Sequence, residues 1–267
     1  FLDLGCSCLG AMAPTQGQNE QFQKLLNCAP EIQDGMRFIV KAEIVQDDAP
    51  ILPGTKKVHF IRHGDGAHNA AQREWRERPG WDGKSEPYTD DNDPTFKYLD
   101  PELTELGKEQ AAVLQPRSEK LAPQLMVVSP LKRATQTGII AFQKHFDAGL
   151  RTVAREECHG TWRTCDKRCN LAELQEMFPT VDFSKIEFEK DVQWVGGPTR
   201  NWKALAIRAA HFANWLKNRE ETHVVVATHS AFLLSLCNAV FHLPPTERAW
   251  FKNAEMRTMR LTFEEKP

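Results

Sequence analysis

The 267-residue chain has no long apolar run, no excess of positive charge and no disulfide framework. Each absence removes a class of function. No stretch approaches the ~18 apolar residues that a membrane-crossing helix needs, so no membrane partner is expected. Lysine and arginine number 34 against 36 aspartates and glutamates, a formal net charge of −2. Without a block of like charge, nucleic acid and anionic membrane surfaces are not expected partners, and any preference for anions has to be local. The seven cysteines are an odd number without framework spacing. That pattern suits free thiols in a reducing compartment, and a cytoplasmic location is the expectation. Internal repeats and low-complexity tracts are absent too. The opening FLDLGCSCLGAMA is similar to a secretory apolar region with a small-residue cleavage site, but Asp3 interrupts it and no basic segment is visible. It reads as a disordered start, and because the chain opens on Phe1 a targeting segment ahead of it stays open.

What is present is an alternation of strand and helix patterns. Residues 1–55 read as an extension, with a helical patch around Phe22, Leu25 and Leu26, then the strand-like MRFIVKAEIV, punctuated by Pro50, Pro53 and Gly54. Residues 56–267 read as one domain. KKVHFIRH is a buried strand by its β-branched and aromatic content, and LTELGKEQAAVL is a helix with Thr104 as its N-cap. QLMVVS is a second strand, followed by a helix over LKRATQTGIIAFQKHF that opens behind Pro130. RNWKALAIRAAHFANWLKNRE is a long amphipathic helix, THVVVATH a third buried strand, SAFLLSLCNAVF a buried helix, and EMRTMRLTF an edge strand. Strands separated by helices predict an α/β layered fold with a largely parallel sheet. Residues 73–99 form a polar insertion too long for an ordinary connection, and Trp75 and Trp81 within it are candidates for a lid or for anchoring the loop.

In such sheets ligands sit beyond the carboxyl ends of the strands. Three strands end in FIRHG, VVSPLKR and VVATHS. Any one of these ends could be a solvated rim; three together call for chemistry. Arg62 and Arg133 offer planar, permanently charged forks to a phosphate or sulfate. His63 and His229 add hydrogen bonds and one potential nucleophile, which neighbouring guanidinium charges would hold in its neutral, attacking form.

These residues carry a resemblance. Arg62-His63-Gly64, SPLKRATQT and THS, in that order, resemble the histidine phosphatase superfamily, phosphoglycerate mutase-like branch, over roughly residues 56–240. LTELGKEQA is similar to the helix after the first motif, and REECHGTWRTCDKR resembles eukaryotic phosphoglycerate mutase-like proteins of poorly defined specificity. The resemblance implies a three-layer α/β/α sandwich. It implies His63 as the phosphorylated nucleophile, Arg62, Arg133 and Asn69 as phosphate contacts, and His229 as the second histidine on the phosphoryl oxygens. Glu156, preceding Gly160, matches the general acid. It also implies no metal and no cofactor, unless mutase activity demands a bisphosphorylated primer, and a small phosphorylated substrate as partner.

Mutases of this family carry Glu-Ser-x-Trp-Asn after the first triplet; here the segment reads Asp65-Gly66-Ala67-His68-Asn69. Loss of the serine and tryptophan moves the expectation from mutase to phosphomonoesterase. His68, Lys167 and Arg168 are candidate substrate-facing residues; His59 is expected to pack beside its strand. Cys158, His159, Cys165 and Cys169 lack the paired C-x₂-C spacing of structural zinc and read as free thiols. A phosphate-binding pseudoenzyme would have lost His63, Glu156 or an arginine, and none is lost. Oligomeric state leaves no mark in the sequence.

Overall fold

The computed structural model describes residues 16–194, 196 and 201–266, so the FLDLGCSCLGAMA opening lies outside the described residues. The chain begins with α1 (Gln16–Gly35), β1 (Phe38–Ile44), β2 (Thr55–Arg62) and α2 (Ala67–Arg76). It continues through α3 (Glu105–Ala112), α4 (Gln115–Ser118), β3 (Leu125–Val128), α5 (Lys132–Ala141), α6 (Gln143–Asp147) and β4 (Thr152–Ala154). The last third holds α7 (Leu171–Met177), α8 (Trp202–Lys217), β5 (His223–Thr228), α9 (Ser230–Ser235), β6 (Phe241–His242) and β7 (Met256–Glu265). The strands form one sheet in the order β4-β3-β5-β2-β7-β1-β6.

β3 and β5 are buried along their whole length. Their unbroken runs of Leu, Met and Val suit strands covered on both faces, which is how parallel sheets are built. Alternate side chains feed two cores. Val58, Phe60, Val224 and Val226 meet α1, α8 and α9 on one face. Ile61, Val225 and Ala227 meet Ala141, Phe142 and Leu174 on the other. The result is an α/β/α sandwich. Among the described residues no helix is long and apolar enough to cross a membrane.

Four sequence readings change. Residues 16–55 do not stand apart: Leu25, Ala29 and Ile32 of α1 enter the same core as Val58 and Val226, and β1 pairs along seven positions with β7. β7 is therefore not an edge strand. It lies between β2 and β1, antiparallel to both. Alternation reports which face of a strand is buried, not whether another strand covers its flank. The segment after Pro130 breaks at Phe142 into α5 and α6, and the buried helix after His229 ends in a π-helical turn over Leu236–Val240. Thr104 does cap α3, its side chain accepting from the Gly107 N–H.

In the insertion, the indole of Trp75 donates to Ser85 Oγ and that of Trp81 to the Ser85 carbonyl, each at 3.0 Å. These two tryptophans anchor the loop on itself.

Candidate active site

The parallel register sets the site. Arg62 at the end of β2 lies beside Thr228 at the end of β5, and the His63 N–H extends the ladder to the Thr228 carbonyl at 2.9 Å. His63 and His229 thus leave the sheet together. Val128 of β3 lies beside Ala227, so Ser129 and the start of α5 arrive at the same edge. The loop after His63 is clamped by α3: a β-carbon on Gly64 would lie 2.6 Å from the Gly107 carbonyl oxygen, and one on Gly107 would lie 2.0 Å from that of Asp65. Only two glycines allow that approach.

His63 is 3% exposed. Its Nδ1 lies 2.7 Å from the Gly64 carbonyl, an acceptor, so Nδ1 carries the proton and Nε2 keeps its lone pair. Burial first, then the charges of Arg133 and Arg62, push its pKa well below the usual histidine range. The ring is neutral near pH 7. Arg62 donates from Nη1 to the Phe251 carbonyl at 2.8 Å, and burial together with Arg133 brings its guanidinium down to about 10. Arg133, 1% exposed, lies in the first turn of α5. It donates from Nη1 to the Cys165 carbonyl at 2.7 Å and from Nη2 to Asp166 Oδ1 at 2.7 Å and His229 Nδ1 at 3.3 Å. With Nδ1 accepting, His229 donates from Nε2 to Ser129 Oγ at 2.8 Å. Asn69 closes the first turn of α2, its Oδ1 accepting from the Gly66 N–H at 3.0 Å. His68 is buried with its ring 5.5 Å from that of His63 and 5.7 Å from that of Tyr88.

A cavity of about 240 Å³ is lined by Arg62, His63, His68, Asn69, Arg133 and His229, together with Arg163, Asp166 and residues of three further segments. Arg62 Nε, Arg133 Nε and His68 Nδ1 are buried with no hydrogen-bond partner. An unpaired buried polar group costs about 1–3 kcal/mol, and three around one cavity mark a place built for a polar occupant. Two guanidinium groups decide its sign: an anion.

Three sequence-predicted residues are not brought to this cavity. Glu156 sits in a 3₁₀ turn after β4, where its Oε1 accepts from Arg168 Nε at 3.2 Å, and it borders a separate depression with Arg155, Glu157 and Lys185. Arg168 is buried and also donates to the carbonyls of Cys169, Phe188 and Glu189, pinning the following loop. The Lys167 ammonium lies 4.8 Å from the ring centres of both Phe96 and Trp194. The physical reason is shared: residues 155–170 run through two 3₁₀ turns without a helix or strand period, so spacing does not fix side-chain direction. Arg163 and Asp166, which sequence reasoning passed over, take the places instead. Gly160 makes room, since a β-carbon there would lie 2.4 Å from Asp166 Oδ1.

Cys158, Cys165 and Cys169 are buried free thiols. A different group, Glu156, His159 and Asp191, gathers its side-chain ligand atoms within 4.8 Å. His159 faces acceptors on both sides, Asp191 Oδ2 at 2.9 Å from Nε2 and the Gly160 carbonyl at Nδ1. Burial opposes its charge, but the Asp191 bond and charge outweigh that and raise its pKa. With acceptors facing both ring nitrogens, the protonated His159 and Asp191 make a buried ion pair.

Comparison with known proteins agrees with the geometry. Residues 89–267 match the family model of the histidine phosphatase superfamily (branch 1), a range that includes Arg133, Asp166 and His229. Phosphoglycerate mutase-like protein 1 of Arabidopsis thaliana is 28% identical over 241 residues, covering 76% of this chain and 80% of the relative. A probable phosphatase of Schizosaccharomyces pombe is 26% identical over 134 residues, 48% of this chain and 52% of that protein. The solved structure called mycobacterial hydrolase 1 has the same fold, with a TM-score of 0.50 at 19% identity over 80% of this chain and 97% of that one. The matched region holds two of the three strand ends that meet at the cavity, and the sheet register brings in the third: the chain belongs to branch 1 of the histidine phosphatase superfamily.

Proposed function

We propose that the chain hydrolyses small phosphomonoesters through a phosphohistidine on His63. Members of the superfamily are phosphatases or mutases. The observation that carries the finer reading is the fixed tautomer of His63: with Nδ1 donating to Gly64, Nε2 presents a neutral lone pair beside two arginines. In the first step Nε2 attacks phosphorus, the P–O bond to the leaving group breaks, and the departing alkoxide takes a proton. Arg62 and Arg133, whose Nε–H groups have no other partner, hold the phosphoryl oxygens as charge shifts among them. In the second step water attacks phosphorus, the P–N bond breaks, and inorganic phosphate leaves with Nε2 restored. Asp166 is the carboxyl that lines the cavity, and we assign it the proton transfers that spacing had assigned to Glu156. Hydrolysis is favoured over mutase transfer because Gly66 and His68 stand where the mutase motif has its serine and tryptophan.

The test is intact mass spectrometry, quenched without acid, after mixing with a panel of phosphomonoesters, alongside phosphate release. A phosphoryl adduct and turnover are expected in the wild type. In His63→Ala the adduct should be absent and phosphate release should fall by several orders of magnitude. Turnover that survives His63→Ala would overturn the phosphohistidine mechanism.

A further inference from the structure

Three of the chain's seven tryptophans, Trp162, Trp202 and Trp250, line the same cavity, and they reach it from three separate segments. Trp162 has φ of +83°, a left-handed backbone that bulky side chains rarely adopt, and its ring lies 4.9 Å from that of Trp202 at 58°. Such a backbone persists where the surroundings impose it, commonly at ligand sites. The indole N–H groups of Trp202 and Trp250 and the hydroxyl of Thr161 are buried with no partner. Three of the other tryptophans, Trp75, Trp81 and Trp194, each donate to an oxygen at 2.8–3.0 Å. Both unsatisfied indoles belong to side chains that line the cavity.

Resting on the phosphatase reading above, we infer that the substrate's leaving group is a single flat aromatic or heteroaromatic ring bearing hydrogen-bond acceptors, seated against Trp162, Trp202 and Trp250 while its phosphoryl group meets Arg62 and Arg133. Size supports a single ring. A cavity of about 240 Å³ is smaller than the roughly 300–1,000 Å³ of sites for drug-sized ligands. The indole faces match an aromatic ring, in offset or edge-to-face contact, better than a saturated one, and the unpartnered N–H donors call for acceptors rather than donors on the ligand.

The test uses a matched pair, benzyl phosphate and cyclohexylmethyl phosphate, whose leaving groups are both primary alcohols of similar size. Any difference then reads the ring, not the chemistry of departure. The expected kcat/KM ratio favours benzyl phosphate by roughly 2- to 12-fold, carried by KM, from the added worth of an aromatic pair. Pyridin-3-ylmethyl phosphate should do better still. In Trp162→Leu the benzyl preference should disappear, and in Trp250→Phe the benzyl preference should remain while the extra gain from the pyridine nitrogen is lost. Because each ratio is taken within one protein, a general loss of stability does not produce these patterns. Equal turnover of the pair, or a preference for glucose 6-phosphate over both, would overturn the inference and leave the phosphatase reading standing. No turnover and no adduct with any of them would remove both.

Discussion

At the scale of the residue, the site depends on which atoms hold protons. His63 commits Nδ1 to a carbonyl and Arg133 divides its donors among Cys165, Asp166 and His229. Asp166, the carboxyl that lines the cavity, is the group to which we assign the proton transfers. Asp166→Asn should therefore slow hydrolysis of alkyl phosphates by about 10²–10⁴-fold, the usual worth of a positioned acid. It should slow 4-nitrophenyl phosphate far less, since that leaving group departs without a proton. Comparing the two substrates in Asp166→Asn and His68→Gln checks the assignment: an equal loss on both substrates in Asp166→Asn would mean that Asp166 only positions Arg133. Arg62, His63, Arg133 and His229 were legible in the sequence because each stands at the end of a buried strand or the start of the helix after one, where backbone geometry dictates direction. Asp166 and Arg163 were not. They lie in a stretch whose turns place neighbours on opposite sides, so that Lys167 and Arg168, next to Asp166, face aromatic rings and a carbonyl cluster instead.

At the scale of the element, the alternating buried strands and the capped α3 were legible because period and capping chemistry are local. Lateral order was not, because β1 finds its partner more than two hundred residues away: Phe38 faces Glu265 and Val40 faces Phe263. This changes what α1 is worth. Leu25 is fully buried in the core shared with Val58 and Val226. Leu25→Ala should destabilise the whole domain by about 2–5 kcal/mol, the range for a buried leucine truncated in a packed core. Urea unfolding followed by tryptophan fluorescence would show it as a lower midpoint of the main transition. If residues 16–55 were an appendage, that midpoint would not move.

At the scale of the molecule, a net charge near zero hides an uneven distribution of protons. Five of the nine histidines are held neutral by burial: His63, His68 and His229 at the cavity, and His59 and His223, whose Nε2 atoms lie 2.7 Å apart between β2 and β5. Burial first, then neighbouring charge, lowers His59 to about 3 and His223 to about 4. The sign follows from linkage. Below pH ~6.5 the unfolded chain binds protons at these positions and the folded chain does not, so stability falls with falling pH. His159, with its raised pKa, runs the other way only above pH ~6.5, where the folded chain alone holds its proton; below that both states hold it and it offsets nothing. Stability measured by urea unfolding should therefore drop between pH 7 and pH 5, with a slope of more than one proton. A flat profile over that interval would contradict the neutral, buried histidines. Asp47, which burial raises but Arg117 and Thr258 outweigh to about 2, extends the loss at lower pH.

The position of β7 also has a consequence in time. β2, which delivers Arg62 and His63, is flanked by β5 and β7, both encoded far downstream. β7 in turn is flanked by β1, from the opposite end of the described chain. During synthesis the first strands wait without neighbours, and the last strand to emerge is the one that joins them. Contacts this distant in sequence close slowly, because a long loop must be ordered before any pairing rewards it. The cavity at the strand ends and the completed sheet thus mature together, and a chain lacking β7 would leave β2 with one bare flank and β1 without its longest partner.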